Sequence, residues 1–166
     1  MGQAGIELLG SANAPAIRDA LDRLYCGHLV AVHVCLGVQN RLAGPPLFLL
    51  SDELEEVLGQ NLKSARRLGQ RLSELDGAVT ADPGNLGSRA GVATFQLQDC
   101  SDLHAILSAA LSGVRDIIRA YAARLELSKG DVVTTQLLVE LVQLEIARES
   151  DLEAAATRPE PGVTKG

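Results

Sequence analysis

Five polar residues occupy positions where the surrounding sequence predicts buried helix faces. Apolar residues recur every three or four positions along four long segments, as they do on the core-facing side of an amphipathic helix. Near the middle of three of these stripes the apolar residues give way to His28, Asn61, Ser64, Glu145 and Arg148. A carboxylate, an imidazole and a guanidinium at one level offer acid–base, metal-binding or ion-pair chemistry.

Burial of such groups is costly unless they satisfy one another. Glu145 and Arg148 are three residues apart, so they can pair on one helix. We expect His28 to donate a hydrogen bond to Glu145, and Asn61 and Ser64 to complete the network. A structural ion-pair layer is therefore the first interpretation of these residues.

Other chemical sites are weakly supported. His28 and His33 are five apart and do not share a helix face, unlike the i, i+4 pair of a zinc site. His104 is expected on the surface. A single metal ion held by Glu145 and His28 remains an alternative, whereas Cys26 lies two residues from His28 and is poorly placed to form a nucleophile pair with it.

Four helices of similar length must position these residues. The predicted spans are Ala14–Ala43, Ser51–Gly77, Cys100–Leu127 and Asp131–Ala156. Gly44-Pro45-Pro46 is expected to stop the first, Ser51 to open the second, Gly77 to close it, Asp99 or Ser101 to cap the third, and Asp131 to cap the fourth. Residues 1–13 are assigned to an N-terminal extension, 14–156 to one domain, and 157–166 to a disordered tail.

The connection between the second and third helices is long and poor in helix signal. It runs from Ala78 to Asp99. A helix of about 25 residues is roughly 37 Å long, and this link reaches at most about 70 Å when extended. It can therefore cross the length of a bundle and let the second and third helices run parallel, which a simple up-down-up-down bundle does not need.

Composition excludes several classes of function. The net charge is −6 and aromatic residues make up 2% of the chain, so it lacks the positive excess and stacking surface of a nucleic-acid binder. The N-terminal residues lack the pattern of a signal peptide, and the longest apolar run is too short to span a membrane. Three cysteines without a CxxC motif indicate reduced thiols and a cytoplasmic protein.

The helix layout resembles that of the ferritin-like superfamily, particularly bacterioferritins and archaeal Dps-like ferritins. Residues 15–156 carry the resemblance, with local anchors at 27–33, 62–67, 74–77 and 140–145. It implies an all-α, ferritin-like four-helix bundle with one long crossover between the second and third helices. It also implies an oligomer.

The same resemblance implies a di-iron centre, but this chain departs from its ligand pattern. The family draws one Glu from each of two helices and a Glu-x-x-His pair from each of the others. The matching positions here are His28, then Asn61 and Ser64, then Val114 (or Ser112 in a shifted register), then Glu145 and Arg148. Only Glu145 keeps the expected type, and Leu62 stands where bacterioferritins carry a haem-ligating Met. We therefore expect no bound cofactor, with iron as the alternative.

Three hypotheses of function follow. The first is a ferritin-like protein without an intact ferroxidase centre, acting as a structural, assembly or interaction subunit of a homo-oligomer, or of a hetero-oligomer with a ferritin-like paralogue. The second is an active iron-storage or Dps-like ferritin with an atypical or intersubunit metal site. The third is an unrelated helical interaction module.

Overall fold

The computed structural model describes residues 14–42, 45–91 and 100–157, with the backbone alone for residues 45–49. Five α-helices occupy these ranges: α1 (Ala14–Gln39), α2 (Pro45–Glu74), α3 (Leu86–Ala90), α4 (Leu103–Leu125) and α5 (Val132–Ala156). A 3-10 turn, Pro83–Asn85, precedes α3. The predicted extension and all of the predicted tail except Thr157 lie outside the described residues.

Side-chain contacts define the relative directions of α1, α2 and α4. On α1 and α4, His28 contacts Tyr121, while Val38 joins a cluster with Ile106, so these two helices are antiparallel. Tyr25 approaches Gly69, and His28 bonds Asn61, so α1 and α2 are also antiparallel. It follows that α2 and α4 run parallel, which confirms the expected crossover.

Several predicted helix ends were wrong. α1 stops at Gln39 rather than Ala43, and the side chain of Arg41 donates to the carbonyl of Gly37 at 2.8 Å. α2 begins at Pro45 rather than Ser51. Proline lacks only an N–H that the first turn leaves unbonded, so it begins this helix instead of stopping the previous one.

The end of α2 is a tight reversal. The helix closes at Glu74, and Asp76 adopts a positive φ of 56°. The Gly77 amide then bonds the carbonyl of Leu72 at 2.9 Å, and the Asp76 amide that of Ser73 at 3.1 Å, as in a Schellman motif. Gly77 is required by space, since a Cβ there would collide with the Leu72 side chain.

The caps of α4 and α5 differ in how well the sequence predicted them. Asp102 caps α4 by accepting from the Ala105 amide, so the cap is not the predicted Ser101, and the helix ends at Leu125 rather than Leu127. The alternative cap, Asp99, lies outside the described residues. Asp131 caps α5 as predicted, accepting from the Thr134 amide.

The crossover contains helix, contrary to expectation. Its short helix α3 packs on α1, where Ala90 and Leu86 meet the buried Cys26 and Val30. Buried Asp22 of α1 accepts from Arg89 at 2.7 Å and from the amide and hydroxyl of Thr80 at 2.7 and 2.8 Å. These contacts hold the described part of the crossover, residues 78–91, against α1.

Two apolar clusters fill the bundle, one toward each end. The first contains Leu21, Leu68, Tyr121 and Leu141, and the second contains Val38, Leu50 and Ile106. By length and composition alone, α1 is apolar enough to cross a membrane, yet half of that window is buried inside the bundle, as in a core helix. The polar residues singled out above lie between these clusters.

Candidate functional site: a polar layer at the centre of the bundle

The predicted polar residues are all buried. His28, Asn61, Ser64, Glu145 and Arg148 are each at most 7% exposed. Val114, the preferred match on the third long helix, is also buried, whereas Ser112 is exposed. At these predicted positions α1, α2 and α5 supply polar side chains, and α4 supplies the apolar Val114.

His28 does not bond to Glu145, so that predicted pairing was wrong. Its Nδ1 lies 2.8 Å from Asn61 Oδ1, and its Nε2 lies 2.8 Å from the Tyr121 hydroxyl. Asn61 Nδ2 donates to the Val57 carbonyl at 2.8 Å, which leaves Oδ1 as the acceptor. The ring therefore donates from Nδ1 and accepts the Tyr121 proton at Nε2.

This chain of hydrogen bonds requires a neutral imidazole. The pKa of His28 is lowered from 6.5 to about 4. Burial is the main cause, the hydrogen bond with Asn61 opposes it, and the nearby Arg148 cation adds to the lowering. Burial also raises the pKa of Tyr121 well above its ordinary value, so its hydroxyl keeps the proton. Both His28 nitrogens are occupied by protein partners.

Glu145 and Arg148 form a buried ion pair. Arg148 Nη1 lies 2.7 Å from Glu145 Oε2, and the two side chains are 8% and 1% exposed. Arg148 Nη2 donates to Gln60 at 2.6 Å, which links α5 to α2. Burial raises the pKa of Glu145, and Arg148 opposes that rise.

Two atoms in the layer have no protein partner: Glu145 Oε1 and Arg148 Nε. Both belong to the ion pair. An unbonded polar atom in the bundle interior is costly. In the described part of the chain, Arg18 Nε and Arg124 Nε are also buried without a partner.

Two further residues complete the layer and were not assigned to it from sequence. Tyr121 was placed only on the apolar stripe of α4, although a buried tyrosine hydroxyl normally finds a partner. Gln60 lies one residue outside the α2 stripe, so helix periodicity alone gave no sign of it.

The sequence matches the model of a known protein family. The model of the ferritin-like domain matches residues 18–159. The chain belongs to the ferritin-like domain family. The hypothesis of an unrelated helical module was therefore wrong.

Solved structures show the same fold for this ferritin-like chain. Dps from Thermosynechococcus elongatus superimposes with a TM-score of 0.82 at 21% identity, covering 98% of this chain and 100% of that one. A dodecameric thioferritin from Bacteroides fragilis gives 0.84 at 18%, covering 93% and 92%. The bacterioferritin of Desulfovibrio desulfuricans gives 0.68 at 17%, covering 87% and 80%. No curated protein matches the sequence significantly.

The residues of the layer do not fit a pair of iron ions. Such a centre needs several carboxylates to bridge and neutralise two cations, and the matched positions supply one, Glu145, already paired with Arg148. His28 has no free nitrogen. Over the three described ranges, no three His, Cys, Asp or Glu side chains form a group that could hold a metal ion.

Proposed function

We propose that this chain is a ferritin-like subunit whose bundle centre is held by a salt-bridged polar layer in place of a di-iron ferroxidase centre. It serves as a structural, assembly or interaction subunit of an oligomer. The observation that carries the proposal is the buried Glu145–Arg148 ion pair at 2.7 Å.

The positive charge of Arg148 is the reason why the layer needs no metal ion. In a di-iron bundle the metal cations compensate the buried carboxylates. Here one guanidinium compensates one carboxylate and reaches across to Gln60, so the layer is neutral without metal. A second cation beside Arg148 would meet like charge in a low-dielectric interior.

Other properties support a subunit of an intracellular assembly. Cys26, Cys35 and Cys100 are all free thiols, consistent with the reducing cytoplasm. The related thioferritin is dodecameric, and we propose that this chain also forms homo-oligomers, or hetero-oligomers with a ferritin-like paralogue. The net charge of −6 supports the prediction that it does not bind nucleic acid.

The second candidate is an active ferritin with an atypical metal site. Family membership and the unpartnered Glu145 Oε1 favour it. His28 and Glu145 would be its vestigial ligands, and iron its substrate.

Aerobic addition of Fe²⁺ tests the first proposal against the second. We expect the purified protein to oxidise iron no faster than buffer and to retain no bound iron pair, measured by ultraviolet absorbance and by elemental analysis after gel filtration. The physical reason is the missing carboxylate set.

Glu145→Gln is the matched control, because it keeps the shape of the side chain and removes its charge. Oxidation lost in this variant would assign ferroxidase activity to the layer and overturn the proposal. Oxidation equal in both proteins and faster than buffer would place an iron site elsewhere and would overturn it as well.

A further inference from the structure

The outward face of α2 carries charges in two blocks of opposite sign. Asp52 and Glu55 are exposed on the first half of the helix, and Lys63 and Arg66 are exposed on the second half. Within the described part of the chain, none of these four side chains forms an ion pair. Their charges are therefore left to face water or a partner molecule.

These four residues share one face of α2 with Gly59. Asp52 and Arg66 are each seven residues from Gly59, and Glu55 and Lys63 are each four residues from it. Positions seven apart on a helix differ by only about 20° around its axis, and positions four apart by about 40°. Gly59 is therefore the midpoint of the face, with the acidic block before it and the basic block after it.

Nothing in the described part of the chain requires glycine at position 59. An added Cβ there would meet no atom within 4 Å. Asn61, two positions on, is buried in the polar layer, so Gly59 faces away from the bundle. Glycine in a helix interior destabilises the helix relative to alanine, but it allows another backbone to approach closely.

The helix dipole does not account for the charge blocks. α2 runs from Pro45 to Glu74, so Asp52 lies seven residues after its start and Arg66 lies eight residues before its end. The influence of the dipole is confined to the first and last turns of a helix. The segregation of charge toward the middle of α2 therefore has another cause.

The two blocks complement an antiparallel copy of the same helix. A two-fold axis beside Gly59 places Asp52 of each copy opposite Arg66 of the other, and Glu55 opposite Lys63. The spacing alone would be symmetric on any helix, whereas the opposite signs of the two blocks make this pairing attractive. We propose that α2 docks antiparallel against α2 of a second copy, with the two helices crossing at Gly59. The inference rests on the proposal that subunits assemble, and it names the partner and the surface.

Apolar side chains beside the charges extend the contact. Leu62 is 45% exposed and lies seven residues from Gly69, which meets Tyr25 of α1, so Leu62 borders α1. Leu36 of α1 is 43% exposed and lies eleven residues, about three turns, from Tyr25. A stable interface buries about 800 Å² on each partner, more than one helix face presents. The adjoining face of α1 is therefore part of the same contact.

Two charge-reversed variants test the pairing. Asp52→Lys with Glu55→Lys makes both blocks positive, and Lys63→Glu with Arg66→Glu makes both blocks negative. For each variant alone, the concentration for half assembly should rise roughly tenfold or more, because repulsion replaces attraction. An equal mixture of the two should assemble again, since each positive face then meets a negative one. Light scattering after gel filtration measures the masses, and native mass spectrometry identifies mixed pairs.

A chain with the two blocks exchanged is the matched control. Two acids become bases and two bases become acids, so the net charge stays at −6. The combined variant Asp52→Lys, Glu55→Lys, Lys63→Glu, Arg66→Glu should assemble with itself as the wild-type protein does. Circular dichroism of every variant checks that the bundle still folds.

A cysteine at the crossing point gives an independent test. Gly59→Cys should form a disulfide-linked dimer on mild oxidation, because the two helices approach most closely there. Gln70→Cys lies eleven residues along the same exposed face. In an antiparallel pair its two copies are about 33 Å apart along the helices, so this variant should not link. The wild-type protein, with its three free cysteines, measures the background.

The results distinguish a failure of this contact from a failure of the proposed function. A wild-type oligomer that keeps its mass in both charge-reversed variants, and whose Gly59→Cys form does not cross-link, would overturn the α2 contact and leave the proposed assembly intact. Loss of assembly that mixing does not restore would also overturn the contact. A monomeric wild-type protein, as expected if only a different chain were the partner, would overturn self-assembly together with the contact.

Discussion

One ring nitrogen of His28 donates a hydrogen bond and the other accepts one, so the imidazole is neutral. Nδ1 donates to Asn61, and Nε2 accepts from Tyr121. Protonation would place a second hydrogen against a donor in a fully buried site. Arg148, across the layer, adds repulsion. The residue therefore resists protonation until about pH 4.

The pH dependence of stability should report this property. The folded pKa of His28 is lowered to about 4 from 6.5, so the unfolded chain binds the proton first as the pH falls. The contribution of His28 to the free energy of unfolding is therefore present above pH 6.5 and is lost as the pH falls from 6.5 to 4. Between pH 7 and pH 4.5 this loss amounts to about 2 kcal/mol. Glu145 opposes this loss, because its folded pKa is raised.

Urea denaturation at a series of pH values measures the effect. His28→Gln should remove the His28 part of the slope between pH 6.5 and 4.5. The exposed His104 gives the matched control, since His104→Gln should keep the wild-type slope. An unchanged slope in His28→Gln would mean that His28 is not the group being titrated.

At the scale of elements, α5 begins with a cap that is also an ion pair. Asp131 accepts from the Thr134 amide and hydroxyl and is bound by Arg71 Nη2 at 2.8 Å, with 1% of the residue exposed. Burial alone would raise the pKa of Asp131, but the bonds from Thr134 and Arg71 outweigh it and the pKa is lowered. Arg71 thereby ties the last turns of α2 to the first turn of α5.

Removal of this carboxylate should cost more than an ordinary cap. Asp131→Ala loses the cap, about 1 kcal/mol. It also leaves the nearly buried Arg71 with the half-exposed Glu74 as its remaining carboxylate partner, for a total of about 3 kcal/mol. Asp131→Asn should cost less because an amide oxygen can still cap. Denaturant unfolding measures both values.

Asp102 is the natural comparison, since it caps α4 from an exposed position through the Ala105 amide. Asp102→Ala should cost only about 1 kcal/mol. Equal losses for Asp102→Ala and Asp131→Ala would show that the Arg71 bridge contributes nothing.

For the whole molecule, the polar layer divides one bundle into two apolar clusters. We expect the ion pair within this layer to favour one packing arrangement of the helices rather than to stabilise the fold, because the desolvation of two charges offsets their attraction. Its two unpartnered atoms increase that cost.

A pair of substitutions separates these effects. Arg148→Met should destabilise the fold by about 3 to 5 kcal/mol, because Glu145 stays buried without its partner. The loss should shrink at lower pH, where Glu145 is protonated. Arg148→Met combined with Glu145→Leu should recover most or all of the loss, or exceed wild type by about 1 kcal/mol or more. Thermal and urea unfolding of the three proteins decide it, and a double variant less stable than Arg148→Met would contradict the account.

Much of the architecture was predictable because helix periodicity and link length are local properties. The stripes through Leu21, Leu68 and Leu141, the Asp131 cap and the parallel placement of α2 and α4 all agree with expectation. Helix ends were less predictable. Pro45 was assigned as a stop signal although the same chemistry suits a first turn, and α3 depends on its packing against Cys26 and Val30.

The sequence by itself determined which polar residues interrupt the apolar stripes, and so which side chains lie at the centre. Only the tertiary structure decided which of them bond to each other across the bundle. Glu145 and Arg148 are three apart on one helix, so their pairing could be inferred from local geometry. His28 bonds to Tyr121 and Asn61 rather than to Glu145, because helix rotation and the distances across the bundle bring those two partners within reach. Helix rotation and interhelical distance depend on how the complete core packs. The apolar pattern of a single helix does not determine them.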